Sequence, residues 1–247
     1  MGKIFVVGIG PGGLDEMTPK ARKAIESAQV VAGYNTYIKL IEKILGEKKI
    51  IGRAMMQEVE RSQLAIEEAL KGNNVAVISS GDAGVYGMAG LVLEMILDLP
   101  EKNRPQFEII AGVSAVNAAA AILGAPLMHD FAIISLSDLM TPWELIEKRV
   151  RSAAQSDFVI ALYNPKSKRR QNQLAEVQKI LLRFREKKTP VGIVTNAGRE
   201  GESKIISTLE NFLQEEVNMF SLVIIGNSQT FVKENFMLTP RGYNLPR

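Results

Sequence analysis

The sequence predicts an α/β fold of two lobes, each built on a mostly parallel sheet. Short runs of β-branched residues alternate with amphipathic helical patterns over nearly all of the 247 residues, and such alternation is typical of parallel α/β proteins. Most of these runs are continuously apolar, as expected of strands covered on both faces. The length suits two domains, and the Gly-Ala-Pro break at 124–126 places them at 1–125 and 126–247.

Most of the predicted strands are short apolar runs bounded by Gly, Asn or Pro, which favours strand over helix. The predicted strands are 3–8, 29–32, 48–52, 74–79, 107–111, 131–136, 157–163, 190–195 and 219–226. The helical patterns between them are 18–28, 34–45, 58–71, 87–98, 114–123, 142–155 and 168–187. Two helices carry start signals, because Thr18-Pro19 and Thr141-Pro142 each place a capping hydroxyl before a proline.

Composition excludes several kinds of site. The formal net charge is only +3, so we expect no nucleic-acid partner. The chain has no cysteine, which excludes disulfides, thiolate metal ligands and a cysteine nucleophile, and fits a reducing compartment. No apolar stretch reaches the roughly 18 residues that a membrane helix needs. We therefore expect a soluble, cytoplasmic protein.

A glycine-rich loop, Gly8-Ile9-Gly10-Pro11-Gly12-Gly13, follows the first strand. Ligands of parallel sheets bind where strands end, and glycines let the backbone approach a ligand closely. A nicotinamide site is the obvious alternative. Two features oppose it: the helix is predicted to begin only at Thr18, and the second strand ends in Val-Val-Ala-Gly without an acid for a ribose hydroxyl.

Two further loops of the first half are candidate binding sites. Residues 79–87 combine three glycines with Asp82 and Tyr86 directly after an apolar run, which favours ligand binding over a surface turn. Residues 112–117 lead into an alanine-rich helix. There Ser114 either caps that helix or faces a ligand, and the sequence leaves both readings open.

The second half has candidate loops at 135–143 and 163–170, both following predicted strands. The latter contains a basic run that could meet an acidic substrate; its residues are Lys166, Lys168, Arg169 and Arg170. His129 is the only histidine, which excludes a histidine metal cluster, and no G-x-S-x-G elbow accompanies it. We expect it to cap the following turn or to contact substrate, and we predict no metal site.

These loops together resemble the tetrapyrrole methylase family, whose members are S-adenosylmethionine-dependent methyltransferases. The resemblance covers residues 3–243. Its general elements are Gly-x-Gly-Pro-Gly at 8–12, Gly81-Asp82 with Val85-Tyr86-Gly87, and Gly112-Val113-Ser114-Ala115. The resemblance implies two α/β lobes with the cofactor in the cleft between them, and typically a homodimer.

Other segments are similar to one branch of that family, which methylates C17 of a precorrin-3 or cobalt-precorrin-3 ring. This resemblance implies methylation with ring contraction on the route to cobalamin. It is carried by Gly33-Tyr34-x-Thr36-Tyr37, by residues 80–89 and 135–143, by Tyr163-Asn164-Pro165-x-Ser167-x-x-Arg170, and by Thr239-Pro240-Arg241-Gly242-Tyr243.

The resemblance also implies which residues contact S-adenosylmethionine. The implied cofactor residues are Gly10, Pro11, Gly12, Ser80, Gly81, Asp82, Val85, Tyr86, Ser114, Ala115, Asn164 and Ala197. Relatives have Tyr-Met where this chain has Tyr163-Asn164, and many have Asn-Gly-Thr where it has Asn196-Ala197-Gly198. Asn164 and Ala197 are therefore the residues at which this chain departs from the family pattern.

Methyl transfer from a sulfonium needs alignment more than side-chain chemistry, which agrees with loops rich in glycine and poor in nucleophiles. Ring contraction could use a proton shuttle, for which the candidates are Ser137, Asp138 and His129. The basic run would face the acetates and propionates of the tetrapyrrole substrate. The alternatives are methylation of another tetrapyrrole carbon, a nicotinamide-dependent oxidoreductase, and a binding module without catalysis.

Overall fold

The computed structural model describes residues 1–167 and 169–244 and divides the chain into two compact units, Met1–Ala115 and Val116–Arg247. The strands of the first unit are β1 (Lys3–Gly8), β2 (Val30–Tyr34), β3 (Lys49–Arg53), β4 (Val75–Ser79) and β5 (Gln106–Ile110). Its helices are α1 (Pro19–Ser27), α2 (Asn35–Leu40), α3 (Glu58–Leu70) and α4 (Ala89–Leu97), and α5 (Ala115–Leu123) begins at its last residue.

The first sheet has the order β3-β2-β4-β1-β5, and every neighbouring pair is parallel. The central strands are mostly apolar because both faces are covered, whereas the edge strands β3 and β5 are partly exposed and contain charged residues. Ile4 and Val6 of β1 point into the core shared with α3 and α4, and Val7 points into the core shared with α1. Since all strands run the same way, their carboxyl ends share one edge of the sheet.

The second unit contains the remaining elements. Its strands are β6 (Gly124–Ala125), β7 (Phe131–Ser135), β8 (Val159–Tyr163), β9 (Pro190–Thr195), β10 (Ser203–Thr208), β11 (Ser221–Ile225), β12 (Phe231–Lys233) and β13 (Phe236–Leu238). Its further helices are α6 (Trp143–Gln155) and α7 (Gln173–Leu181). The predicted lobe boundary at residue 125 falls at the end of β6, and that boundary stays a prediction.

The second sheet is mixed, with the order β10-β9-β11-β8-β7. Only β7 and β8 pair in parallel, whereas β11 runs antiparallel to both β8 and β9. The α/β class is thus confirmed, and the parallel arrangement applies to the whole first sheet but to one pair of the second. One face of the second sheet packs on α6 and α7, and Leu123 of α5 packs against Gly192 on β9.

The two predicted helix starts have different outcomes. The Thr18 hydroxyl accepts a hydrogen bond from the Ala21 N–H at 3.1 Å, as the prediction requires. The second prediction is wrong by one residue: Pro142 is itself the N-cap, with an extended ψ of 139°, and α6 begins at Trp143. A proline at the cap leaves Thr141 one position too early to bond to the first turn.

Two carboxylates of the first unit should make its stability depend on acid pH. Ion pairs with Lys71 and Lys49 lower the pKa of Glu68 from 4.5 to about 2, and Lys20 and Lys3 do the same for Glu108. Because both pKa values are lower in the folded state, this stabilisation is present above pH 4.5 and is lost as pH falls towards 2. We expect the urea midpoint of unfolding to drop through that window.

Glu68→Gln and Glu108→Gln should each weaken this pH dependence, and the double variant should weaken it further. Glu101→Gln is the control, because Glu101 forms no ion pair within the part of the chain that the structure describes. A double variant whose midpoint falls as steeply as that of the wild type between pH 4.5 and 2 would contradict the assignment.

Candidate functional site

The glycine-rich loops of the first unit meet at the carboxyl edge of its sheet. Gly10 and Gly81, from the loops after β1 and β4, exchange two backbone hydrogen bonds, with N···O distances of 3.1 and 2.8 Å. Gly112, from the loop after β5, lies against both loops. The structure therefore brings together the three segments that the sequence singled out in this half.

Backbone proximity explains why these positions are glycines. A Cβ on Gly112 would lie 2.2 Å from the Gly81 carbonyl oxygen and 2.6 Å from that of Gly8. A Cβ on Gly8 would lie 2.7 Å from the Gly81 oxygen. Gly10 and Gly81 also have positive φ angles of +82° and +68°, a region that glycine enters without steric cost. The edge is consequently lined by main chain rather than by side chains.

Asp82 holds this arrangement in place. Its Oδ1 accepts hydrogen bonds from the Gly84 and Val85 N–H groups at 2.8 and 3.1 Å, and its Oδ2 accepts one from the Gly112 N–H at 2.9 Å. Hydrogen bonds to a carboxylate are stronger than neutral ones. Asp82 thus joins the loop after β4 to the loop after β5, a positioning role that its place in the sequence motif did not reveal.

The predicted cofactor residues of the first unit all lie on these loops. Gly10, Pro11 and Gly12 are buried, whereas Ser80, Val85 and Ala115 are half-buried. Tyr86 is exposed and has a positive φ of 54°. A helix does not start at the first loop: only a short 3-10 turn, Leu14–Glu16, precedes α1. This agrees with the argument against a dinucleotide site, whose pyrophosphate needs a helix N-terminus.

The second unit also collects its candidate loops at one sheet edge. β7 and β8 are parallel, and β9 runs in the same direction because β11 is antiparallel to both β8 and β9. The Asn164 side chain donates to the Ser135 hydroxyl at 3.0 Å, and that hydroxyl also accepts from the Ser137 N–H at 3.2 Å. Half-buried Ala197 lies on the loop after β9.

The prediction that the basic run faces the substrate is wrong for Arg170. Its side chain is only 9% exposed; Nε donates to the Asn164 carbonyl at 3.0 Å, and Nη1 lies 3.5 Å from Asp138 Oδ1. It therefore organises the loops after β7 and β8 and is not available as a surface charge for substrate. Arg169 is exposed and Lys166 is half-buried, so both could still serve that role, and Lys168 lies outside the described residues.

The three shuttle candidates are not brought together. Ser137 and Asp138 follow the carboxyl end of β7, and the Asp138 carboxylate also accepts from the Gln173 side chain at 2.8 Å. His129 precedes the opposite end of β7, a strand of five residues that spans about 17 Å. His129 is half exposed, and its Nδ1 accepts from the Asp130 N–H at 2.9 Å, which agrees with the predicted turn.

Two side chains at these edges have contacts that the sequence does not reveal. The Tyr163 hydroxyl accepts from the Val116 N–H at 3.0 Å and so satisfies a donor in the first turn of α5. Arg61 on α3 is buried near the loops of the first unit. Tyr163 belongs to a segment that carries the family resemblance, and Arg61 lies in an ordinary helical pattern, but neither context indicates the long-range partner.

The described residues lack the features of two other classes of protein. They contain no group of three or more His, Asp or Glu residues placed to hold a metal ion. None of the helices in the same ranges has both the length and the apolar character needed to cross a membrane.

Curated relatives match almost the whole chain. It is 50% identical over 242 residues to a "Probable cobalt-factor III C(17)-methyltransferase" of Salmonella typhimurium, covering 98% of this chain and 100% of that protein. It is also 50% identical over 244 residues to a "Cobalt-factor III methyltransferase" of Priestia megaterium. The match covers 98% of this chain but only 45% of that longer protein.

Solved structures share the fold. The crystal structure of the methyltransferase CobJ superposes with a TM-score of 0.91 at 34% identity, covering 97% of this chain and 100% of the other. A uroporphyrin-III C-methyl transferase from Thermus thermophilus, solved with S-adenosyl homocysteine, gives a TM-score of 0.70 at 23% identity, with coverages of 91% and 97%. At that identity the second likeness shows the fold alone.

Most of the chain also matches one protein family. Residues 3–213 match the sequence profile of the Tetrapyrrole (Corrin/Porphyrin) Methylases, which confirms the resemblance seen in the loop motifs. We conclude that the chain belongs to the tetrapyrrole methylase family and is a methyltransferase.

Proposed function

We propose that this chain is an S-adenosylmethionine-dependent methyltransferase that methylates C17 of a precorrin-3-type ring, with or without cobalt, and contracts the ring in cobalamin biosynthesis. The observation that carries the proposal is the 50% identity to a C(17)-methyltransferase over that relative's whole length. The backbone-lined edge at Gly8, Gly81 and Gly112 is consistent with it, because such an edge can enclose a flat adenosine closely.

The cofactor supplies a methyl group already activated by the sulfonium charge. The protein's own contribution is alignment, which can be equivalent to an effective concentration of about 10⁵ M or more. We assign this alignment to the loops around Gly10, Gly81 and Ser114, whose mutual positions Asp82 fixes. From the second unit we propose contacts by Asn164, whose side chain is oriented by Ser135, and by Ala197.

Ring contraction needs a group that can take up and return a proton. We propose Asp138 or Ser137 for this step. Asp138 is a third exposed, and its carboxylate is held by Arg170 and Gln173, so it is both oriented and reachable. We do not assign this role to His129, because it lies at the other end of β7.

We also propose a location and an assembly for the enzyme. The absence of cysteine suits a reducing cytoplasm, where we place the enzyme. We propose a homodimer on the family resemblance alone.

Calorimetric titration with S-adenosylhomocysteine tests the cofactor assignment. We expect micromolar binding of this compound and no heat of binding with NADH or NADPH. Binding of a nicotinamide cofactor with none of the homocysteine compound would contradict the proposal and return the first glycine loop to the dinucleotide hypothesis. With the cofactor established, incubation with precorrin-3 and cobalt-factor III and mass analysis of the product identify the substrate.

A further inference from the structure

Arg61 is buried in the first unit without the partners that a guanidinium needs. It lies in the first turn of α3 and is 3% exposed. Its Nη2 contacts the Met88 sulfur at 3.2 Å, a weak acceptor. Within the described ranges, Nε and Nη1 have no hydrogen-bond partner. Burying a charged group costs folding free energy unless it is paired and hydrogen-bonded.

Among the residues that the structure describes, no carboxylate lies at hydrogen-bond distance from the Arg61 guanidinium. Glu58 Oε1 lies 3.9 Å from Nη2, and that oxygen accepts from the Met56 N–H at 3.1 Å. Burial lowers the pKa of Arg61, although Glu58 and Tyr37 act in the opposite direction. A buried charge left without a close partner is strongly destabilising, so the fold alone does not account for Arg61.

A second buried arginine shows what a structural guanidinium looks like in this chain. Arg185 follows α7 and is 8% exposed. Its Nη1 and Nη2 donate to the carbonyl oxygens of Gly226 and Phe158. Among the described residues its Nε has no hydrogen-bond partner either, but two of its nitrogens donate to backbone oxygens and tie loops of the second unit together. In the same ranges, the Arg61 guanidinium has only the Met88 sulfur at hydrogen-bond distance, with Glu58 farther away at 3.9 Å.

The position of Arg61 along the sheet separates it from the glycine loops. Its neighbours Tyr37, Glu58 and Met88 follow β2, β3 and β4. The glycine loops follow β4, β1 and β5. In the order β3-β2-β4-β1-β5, Arg61 therefore occupies the half of the carboxyl edge beside the proposed cofactor half.

Exposed apolar side chains lie at the same half of the edge. Met55, Met56 and Val59, on the loop after β3 and at the start of α3, are 45%, 68% and 59% exposed. Methionine is flexible and polarizable and adapts to irregular ligands. An apolar surface beside a buried cation suits a flat ring that carries acidic substituents.

We infer that Arg61 binds a carboxylate of the tetrapyrrole's acetate or propionate side chains, an inference that rests on the proposed function. In the described chain Nε and Nη1 lack partners but have almost no accessible surface, so the Arg61 side chain must shift on binding. They would then donate charge-assisted hydrogen bonds to that carboxylate. The macrocycle would then lie on Met55, Met56 and Val59. Arg61 would thereby fix the position and orientation of the bound macrocycle.

Arg61→Met in the full chain tests the inference, with Arg185→Met as the matched control. The probe is a porphyrin bearing acetate and propionate groups, with its methyl ester as the uncharged comparison, and binding is followed by absorbance. We expect Arg61→Met to weaken binding of the acid porphyrin by about 10- to 100-fold, with no change for the ester. Its thermal midpoint should equal or exceed that of the wild type, because an unpaired buried charge is removed.

Arg185→Met should do the reverse, lowering the thermal midpoint while the folded protein keeps its affinity for the acid porphyrin. Arg61→Gln is a second, more polar variant and should also bind the acid porphyrin more weakly. Wild-type affinity in Arg61→Met or Arg61→Gln would overturn the inference. Failure of both variants to fold would also overturn it, because Arg61 would then hold the fold.

Titration of the Arg61 variants with S-adenosylhomocysteine separates the two sources of a carboxylate. If their affinity for this compound falls and their affinity for the acid porphyrin does not, the carboxylate is that of the cofactor and the inference is wrong. Failure of the wild type to bind S-adenosylhomocysteine contradicts the proposed function instead. A wild type that binds this compound but not the acid porphyrin leaves the methyltransferase supported and overturns the role of Arg61.

Discussion

Gly112→Ala is expected to destabilise the first unit by about 2 to 3 kcal/mol and to slow methyl transfer by about 100-fold. The new Cβ would lie 2.2 Å from the Gly81 carbonyl oxygen and 2.6 Å from the Gly8 oxygen. Both are backbone atoms of loops that Asp82 and the Gly10–Gly81 pair hold in place. Relief of the clash must therefore move the loops that we assign to cofactor alignment.

Gly90→Ala provides the control for this substitution. Gly90 lies in α4 and is exposed, and a Cβ there would meet no atom of the described chain within 4 Å. Alanine in a helix should stabilise by roughly 0.5 to 1 kcal/mol over glycine. Urea unfolding and S-adenosylhomocysteine titration measure both variants. If Gly112→Ala matches Gly90→Ala in both measurements, the close approach of the three loops does not matter for function.

The parallel sheet of the first unit is the part of the fold that the sequence predicts best. β1 and β4 are covered on both faces by helices, so each contains four consecutive apolar residues, 4–7 and 75–78, and the run is recognisable without its neighbours. The same reasoning finds β11, which is buried throughout. Continuous burial, in other words, leaves a local signal.

Edge elements of the second unit leave almost no local signal in the sequence. β10 pairs only with β9, and its residues are at most half-buried, so Ser203, Lys204 and Ser207 break the apolar run. The hairpin of β12 and β13 turns at Glu234 and Asn235, whose φ angles are 50° and 65°. Asn suits such a turn but Glu does not, so the sequence did not predict it.

The site shows a similar division between local and long-range information. Glycines that must adopt positive φ or admit a neighbouring backbone form recognisable motifs, and those motifs located the loops at Gly10, Gly81 and Gly112. The role of Asp82 depends on the Gly112 N–H, thirty positions away. No local pattern specifies such a partner.

The separation of His129 from Ser137 was implicit in the sequence. A strand predicted at 131–136 lies between the two residues, and strands rise about 3.3 Å per residue. The pattern that predicted β7 therefore already argued against one shuttle containing both. Arg169 and Arg170 are a different case. The family motif includes only Arg170, but the burial that separates the two arginines is visible only in the structure.

Arg170→Met is expected to destabilise the second unit by about 2 to 3 kcal/mol. The Arg170 guanidinium is nearly buried and donates to the Asn164 carbonyl, and Asp138 lies 3.5 Å from it. The substitution leaves a carbonyl and a carboxylate without this donor. Since Asn164 and Asp138 belong to loops that we assign to cofactor and proton transfer, turnover should fall with stability. Urea unfolding and single-turnover methylation provide the two measurements.

Arg169→Met is the matched control because it changes the same residue type one position earlier on an exposed surface. We expect less than about 0.5 kcal/mol of destabilisation, and weaker binding of an acid porphyrin if Arg169 faces the substrate carboxylates. The two variants thus separate a charge used inside the fold from a charge offered to a ligand. If Arg170→Met unfolds like Arg169→Met and weakens porphyrin binding instead, Arg170 is a substrate residue, as the basic run had first suggested, and its contacts with Asn164 and Asp138 contribute little to stability.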